Sequence, residues 1–302
     1  MLAYLAQLNL LADAYAQSKS GQRRSMTKGA SVIDVSSIRE REITLHGLTK
    51  ADDRYTVYYD ETNNIRRLHV RSDGLNVREP KCFVVGGIVH RGAPRPVPIA
   101  ELRSALRMQL NAPEIKLKHV ATGEILELLN APRLEIFLKW LLEQGLYVHY
   151  SIIDPLYWSI VDVIDSILKA RAAGALSAVA PQLKNDLYTI LRHDYDDTVD
   201  IFIRYRYPDV GPERRPAFVA ELLDLLEHRR ELLPHFNYMM LKGVLQIAER
   251  LDALPYLEDE TPNVLIESFA PFYVQRLCLF KNSQHILDVE EIVKERRALV
   301  IH

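Results

Sequence analysis

Asp60, Glu61, Glu114, Lys116, Asp154 and Asp288 have the side chains that phosphodiester chemistry uses. Carboxylates are hard oxygen ligands, which select magnesium or manganese. Two such ions about 4 Å apart activate a water and stabilise the leaving oxygen. An amine beside them, here Lys116, would neutralise charge on the scissile phosphate or on a pentavalent transition state. Acids that converge without neutralising partners repel one another, and a divalent cation relieves that repulsion. Whether they converge depends on the elements that carry them.

The first acids stand at the end of a strand. Tyr55 to Tyr59 is a β-branched and aromatic run that favours extended backbone. Thr62, Asn63 and Asn64 supply the short polar side chains of a turn. Successive strand residues face opposite ways, so Asp60 and Glu61 cannot both aim at one site; an ordinary turn or cap role is the competing reading for Asp60. Further strands are expected at Leu68 to Val70 and at Cys82 to Val89. From Pro113 to Lys118 the alternation puts Glu114, Lys116 and Lys118 on one face and Ile115 and Leu117 on the other. That is either a solvated strand or a carboxylate beside two amines, suited to metal and phosphate. Leu146 to Ile153 is another strong strand, ending at Asp154-Pro155. Proline suits the first turn of a helix, so Asp154 reads equally as the N-cap of the next helix or as a metal ligand.

With 302 residues the chain fills one large domain or two ordinary ones, and 48% hydrophobic residues supply a core. A formal net charge of -2 excludes coating of nucleic acid by bulk positive charge and leaves local basic patches open. Cys82 and Cys278 lie in apolar runs and read as small buried hydrophobes in a reducing compartment. No cysteine spacing suggests zinc. No stretch is long and apolar enough to span a bilayer, and Met1 to Ser20 lacks the basic start of a secretory signal; a cytoplasmic protein without membrane contact is expected. Leu2, Leu5, Leu8, Leu11 and Ala12 recur at helical spacing. They predict an amphipathic helix that could drive homo-oligomerisation or dock a partner protein. Residues 17–28 read as a flexible linker or a basic arm. Residues 1–50 therefore form an extension, with a short strand expected at Glu42 to Leu45, ahead of a domain over residues 51–302.

Within that domain, helices are expected over residues 99–110, 122–129 and 132–144, the last closed by Gly145. A large helical insertion spans about residues 156–260, with helices over 156–173, 180–191, 216–233 and 237–254. Val199, Ile201, Ile203, Tyr205 and Tyr207 alternate as a strand would between helical flanks, and periodicity does not decide the segment. Arg204, Arg206, Arg214, Arg215, Arg229 and Arg230 give the insertion basic character, either a solvated surface or contacts to a nucleic-acid backbone. Tyr273 to Phe280 reads as a fifth strand. Ser283 then reads as the N-cap of a last helix carrying Asp288 among apolar neighbours, an awkward place for an acid unless it faces a site.

The order of these elements matches the ribonuclease H-like layout, an α/β fold with a mixed five-stranded sheet flanked by helices. In that layout the first strand is central and the fourth lies beside it in parallel. Asp60 and Asp154 would then share one edge, the crossover between the third and fourth strands would bring Glu114, and the last helix Asp288.

Asp60-Glu61-Thr62-Asn63, then Phe83 to Ile88 with its Gly86-Gly87, then Glu114-Ile115-Lys116, and finally Ser283 with Asp288 resemble a set of family motifs. They are the Asp-Glu-Ser-Gly, Gly-Gly, Glu-Leu-Lys and Gln-x-x-Asp motifs of the bacterial "domain of unknown function 3800" family. The resemblance covers about residues 55–293. Thr62-Asn63 stands where the family has Ser-Gly, and His285 where it has Gln. The resemblance implies a ribonuclease H-like, metal-dependent nuclease acting on DNA or RNA, associated with mobile elements and antiphage defence. It also implies a site of Asp60, Glu61, Glu114, Lys116 and Asp288. Asp60, Glu114 and Asp288 are the first-choice ligands for magnesium or manganese, with Asp154 in reserve. The competing class is a non-catalytic module that keeps the fold to bind nucleic acid or protein.

Overall fold

A computed structural model of the chain describes residues 36–287 apart from 110, 111, 113, 171–175 and 177. The expected amphipathic helix at Met1 to Ser20, the basic segment after it and Asp288 lie outside the described residues.

The chain opens with α1 (Ser36–His46), then β1 (Tyr55–Tyr58), β2 (Asp60–Thr62), β3 (Leu68–Arg71), β4 (Gly74–Leu75) and β5 (Phe83–Arg91). Helices α2 (Ile99–Ala105), α3 (Leu117–Val120), α4 (Ile125–Leu129) and α5 (Pro132–Glu143) lead to β6 (Tyr147–Ile153). Five helices follow: α6 (Pro155–Ala170), α7 (Ala180–His193), α8 (Tyr195–Tyr205), α9 (Gly211–His228) and α10 (His235–Ala248). The described chain ends with β7 (Val264–Ile266), α11 (Ala270–Leu279) and β8 (Gln284–Ile286).

The fold is mixed α/β, with a five-stranded mixed sheet flanked by helices. In that sheet β5 pairs with β1, β2 and β6, and β8 lies on the other side of β1. β1 is antiparallel to β5, with Tyr55 opposite Arg91 and Val57 opposite Val89. It is parallel to β8, with Thr56 opposite Gln284 and Tyr58 opposite Ile286. The parallel neighbour of β1 is thus the last described strand; the strand ending before Asp154 pairs with β5 instead. A smaller sheet runs in the order β4-β3-β7.

The chain divides into two compact units. The first gathers Glu61–Val84 and Ser151–Gln275. Its core is made by helices whose apolar residues recur at three- and four-residue steps, as one buried stripe requires. Ile160, Val163, Ile164 and Ile167 of α6 and Leu183, Leu187, Ile190 and Leu191 of α7 form such stripes. The ambiguous segment is helix α8, whose buried residues Thr198, Val199, Ile201, Phe202 and Tyr205 recur at helical spacing. Phe202, which the alternation skips, is among the most completely buried of them. Lys184 is buried in this core and paired with Asp165 at 2.6 Å.

The second unit contains the described parts of Val32–Asp60, Val85–Tyr150 and Arg276–His302. Leu102, Leu106, Trp140, Leu141 and Leu146 form a core there. Gly145 closes α5 at φ 61, as its sequence position predicts.

Several expected elements differ. The segment expected to hold a strand at Glu42 to Leu45 is helix α1, tied down by Arg39, which donates to Leu279 O at 3.1 Å and to Asp52 at 2.7 Å. Pro113 to Lys118 supplies no strand among its described residues; Lys116 instead precedes α3 and its N–H donates to His119 Nδ1 at 2.9 Å. Leu117, expected on the face opposite Glu114 and Lys116, is exposed. Tyr273 to Phe280 is largely helix α11, since Phe272, Gln275 and Leu279 are buried at helical spacing and burial outweighs the β-forming composition. Ser283 does not cap a helix. Its Oγ accepts from Tyr55 N–H at 3.2 Å, and the next three residues are strand β8. Cys278 is buried as expected, whereas Cys82 is exposed just before β5.

Candidate functional site

The acids separate into different environments. Asp60 begins β2 and is exposed, while Glu61 is half-buried and accepts the Tyr273 hydroxyl at 3.0 Å. Their divergence follows the strand's alternation. Asn63 takes the turn at φ 58, and its amide donates to Cys82 O at 2.9 Å. Glu114 and Lys116 meet at 2.8 Å on the exposed surface, and this carboxylate raises the lysine's pKa by hydrogen bonding and charge.

Asp154 is the N-cap of α6. Its Oδ1 accepts from Leu156 N–H at 2.9 Å and Tyr157 N–H at 3.1 Å, which satisfies two donors of the first turn. Its Oδ2 accepts from the Tyr188 hydroxyl at 2.5 Å and from Arg192 at 2.9 Å. Asp288 lies outside the described residues. Among the described residues, no three histidines, cysteines, aspartates or glutamates are grouped so as to hold a metal ion.

The second unit contains a cavity of about 280 Å³ over one face of the sheet. Its lining follows the period of two: Tyr55, Val57 and Tyr59 from β1 and the residue after it, then Val89 and Arg91 from β5. Tyr147 and His149 come from β6, Arg276 from α11, and Phe280 from the residue after that helix. Among the described residues, the lining has no carboxylate and two arginines.

Gly86 and Gly87 build this face. A Cβ on Gly86 would lie 2.7 Å from His149 O. At Gly87, with φ +150, it would lie 2.2 Å from Tyr58 O and 3.4 Å from His149 Nε2. The missing side chain lets the His149 ring pass over β5 to the Tyr58 carbonyl, which it meets at 2.8 Å. A carbonyl only accepts, so His149 is protonated on Nε2.

The same logic fixes His285, whose Nε2 meets Phe280 O at 3.1 Å. Its Nδ1 is then an acceptor, and the Tyr59 hydroxyl donates to it at 2.9 Å. Tyr59 also meets His149 edge-on at 4.9 Å between centroids. Burial raises the Tyr59 pKa far above the usual phenol value, partly offset by Arg276. Burial likewise lowers both histidines, with Arg276 adding to the effect at His149. The triad is therefore neutral near pH 7, and the arginines carry the charge.

Compared with protein-family models, with curated proteins and with solved structures, the chain matches none.

Sequence reasoning passed over Tyr59, His149, Arg91 and Arg276. The signals for them are the like-facing alternations Tyr55-Val57-Tyr59 and Tyr147-His149, and the Gly86-Gly87 pair that leaves room for a ring. His285, which stands where the resembled family has Gln, holds the Tyr59 hydroxyl.

Proposed function

We propose that the protein is a magnesium- or manganese-dependent nuclease on a ribonuclease H-like sheet, with Asp60 and Asp288 as its central metal ligands. The register of the two parallel strands carries this reading. Ile286 lies beside Tyr58, and Tyr59 N–H donates to Ile286 O at 3.0 Å. In the sequence Asp60 follows Tyr58 by two residues, and Asp288 follows Ile286 by two. A central strand with one antiparallel and one parallel neighbour also suits the ribonuclease H-like layout.

The donors differ in their fitness for the ion. Asp60 offers an exposed carboxylate at the start of β2. Asp154 serves as a structural cap whose oxygens are already engaged. Glu114 would join only by leaving Lys116, and Glu61 acts through its contact with Tyr273. Bound ions would supply a nucleophilic hydroxide and stabilise the leaving oxygen. Lys116 would offset charge on the phosphate of a DNA or RNA strand, the partner this reading implies. A role in mobile-element or antiphage defence goes with the resemblance, whereas a cytoplasmic location and oligomerisation or partner docking through Met1 to Ser20 go with the sequence pattern alone.

The test is a melting experiment with and without manganese, coupled to a cleavage panel of single- and double-stranded DNA and RNA. Native-state binding raises the melting temperature, and Asp60→Asn is expected to abolish both the shift and cleavage while the protein stays folded. Undiminished manganese-dependent cleavage by Asp60→Asn would remove Asp60 from the mechanism. The capping role of Asp154 and the pairing of Glu114 with Lys116 favour a second reading, a non-catalytic binding module. That reading predicts neither a metal shift nor cleavage.

A further inference from the structure

We infer that the cavity over the sheet face of the second unit is a binding site for a small organic anion with an aromatic body. The size, the wall and the charge of the cavity each point there. An apolar cavity of about 150 Å³ holds a benzene, so 280 Å³ accommodates a fused bicyclic ring or a ring with a short side chain. Val57 and Val89, cross-strand partners in the β1–β5 ladder, form an apolar floor. Tyr55 and Phe280 stand edge to face at 5.9 Å and give the cavity an aromatic wall, the surface on which planar rings pack.

Charge selects the ligand's polar end. Arg91 lies opposite Tyr55 in the ladder and is exposed, with no carboxylate partner in an ion pair among the described residues. Its charge lowers the Tyr55 pKa, against the stronger upward effects of burial and of Asp53. Arg276 sits toward the Tyr59 end, donating to Tyr150 O at 2.9 Å. The ladder from Tyr55 to Tyr59 separates these ends by about 13 Å. A ligand of this size therefore meets one arginine with its anionic group and lies on the valines with its ring. Arg91, at the rim, is that arginine. His149 and Tyr59 add polar atoms without charge. The inference does not rest on the nuclease reading, since Asp60 opens β2 apart from the lining residues and carries the opposite charge.

Isothermal titration of the full chain tests the site with three probes: indole-3-acetate, its neutral isostere indole-3-acetamide, and phenyl phosphate. An anion is expected to bind at least tenfold more tightly than the amide, the scale of one charge-assisted hydrogen bond. The tighter of the two anions identifies the natural group as carboxylate or phosphate. Arg91→Gln is expected to weaken anion binding about tenfold and leave the amide unchanged. Val89→Phe fills the floor and should abolish binding of all three probes with an unchanged circular dichroism spectrum. Binding of both anions no tighter than that of the amide, no binding of either anion, or anion binding indifferent to Arg91→Gln would each overturn the inference. If Val89→Phe fails to fold, the rim variant Arg91→Gln still decides.

Discussion

Replacing Gly87 by alanine should be far more damaging than replacing any glycine whose only special feature is its backbone angle. The added Cβ would stand 2.2 Å from the Tyr58 carbonyl oxygen and 3.0 Å from its carbon. These are backbone atoms, so no side-chain rotation relieves the overlap. β1 would have to retreat from β5 by about 1 Å to reach ordinary contact distance, in a ladder where Val57 and Val89 are paired. Overpacking of this kind costs about 1–3 kcal/mol, and a φ of +150 adds about 1–3 kcal/mol for a residue with a side chain. Displacing His149 from Tyr58 O forfeits about 1 kcal/mol more. A total of about 5 kcal/mol lowers the melting temperature by about 10 °C in a protein of this size.

Gly92 supplies the control. Its φ is +83 and a Cβ there would meet nothing within 4 Å, so alanine costs only the left-handed backbone, about 1–2 kcal/mol. Thermal melting of the two variants, with hydrogen exchange of the β1 amides, separates the effects. Gly87→Ala should also speed exchange at Tyr59 N–H, which is bonded to Ile286 O. If both variants melt within about 2 °C of each other, the close approach of β1 and β6 over Gly87 is wrong.

Three further outcomes follow from the same contacts. Burial lowers the pKa of His149 and His285 below 6.5, so the unfolded chain binds more protons than the folded one. Stability is full above about pH 6.5 and falls on acidification through the folded values, by at most about 1.4 kcal/mol per pH unit for each ring, less for solvent screening of partly exposed rings; denaturant titrations from pH 7 to 5 should show a shallower loss in His149→Gln with His285→Asn. Asp165→Ala strands the buried Lys184 and should cost about 3–5 kcal/mol, most of it regained with Lys184→Met, whereas equal losses in the single and double variants would refute the pair's coupling. On the proposed metal site, where Asp60 and Asp288 would repel each other without an ion, the effects of Asp60→Asn and Asp288→Asn on the metal-free melting temperature should not add, the double variant departing from the sum by about 0.5 kcal/mol or more; strict additivity would mean that the two acids do not share a site.

Local rules read much of this chain correctly. Apolar residues at steps of three and four marked α6, α7, α9 and α10, because a helix buries one stripe whatever it packs on. The Asp154-Pro155 junction carried its own cap, and Asn63 its own left-handed turn. Elements decided by distant partners were not legible. β8 has three residues and owes its form to β1, which lies 228 positions away in register. α11 has the composition of a strand and is a helix because Phe272, Gln275 and Leu279 are buried together. The Gly86-Gly87 pair was visible as a motif, but its purpose depends on His149 crossing from β6, a contact no local pattern contains.

The segment from Tyr55 to Asp60, which passes from β1 into β2, orders the two functional readings. Tyr55, Val57 and Tyr59 line a cavity that is aromatic and cationic, whereas Asp60 opens β2 and is exposed. An anion in the cavity and a divalent cation at Asp60 call for opposite potentials, so the two ligands occupy separate places and their variants should act separately. Asp60→Asn should leave indole-3-acetate binding unchanged, and Arg91→Gln should leave the manganese melting shift unchanged. Were Asp60→Asn to weaken anion binding as well, the cavity and the strand end would form one site. Arg91 and Arg276 would then be the groups that hold the phosphate of a nucleic acid beside the metal, and the cavity would take the nucleotide's base instead of a separate ligand.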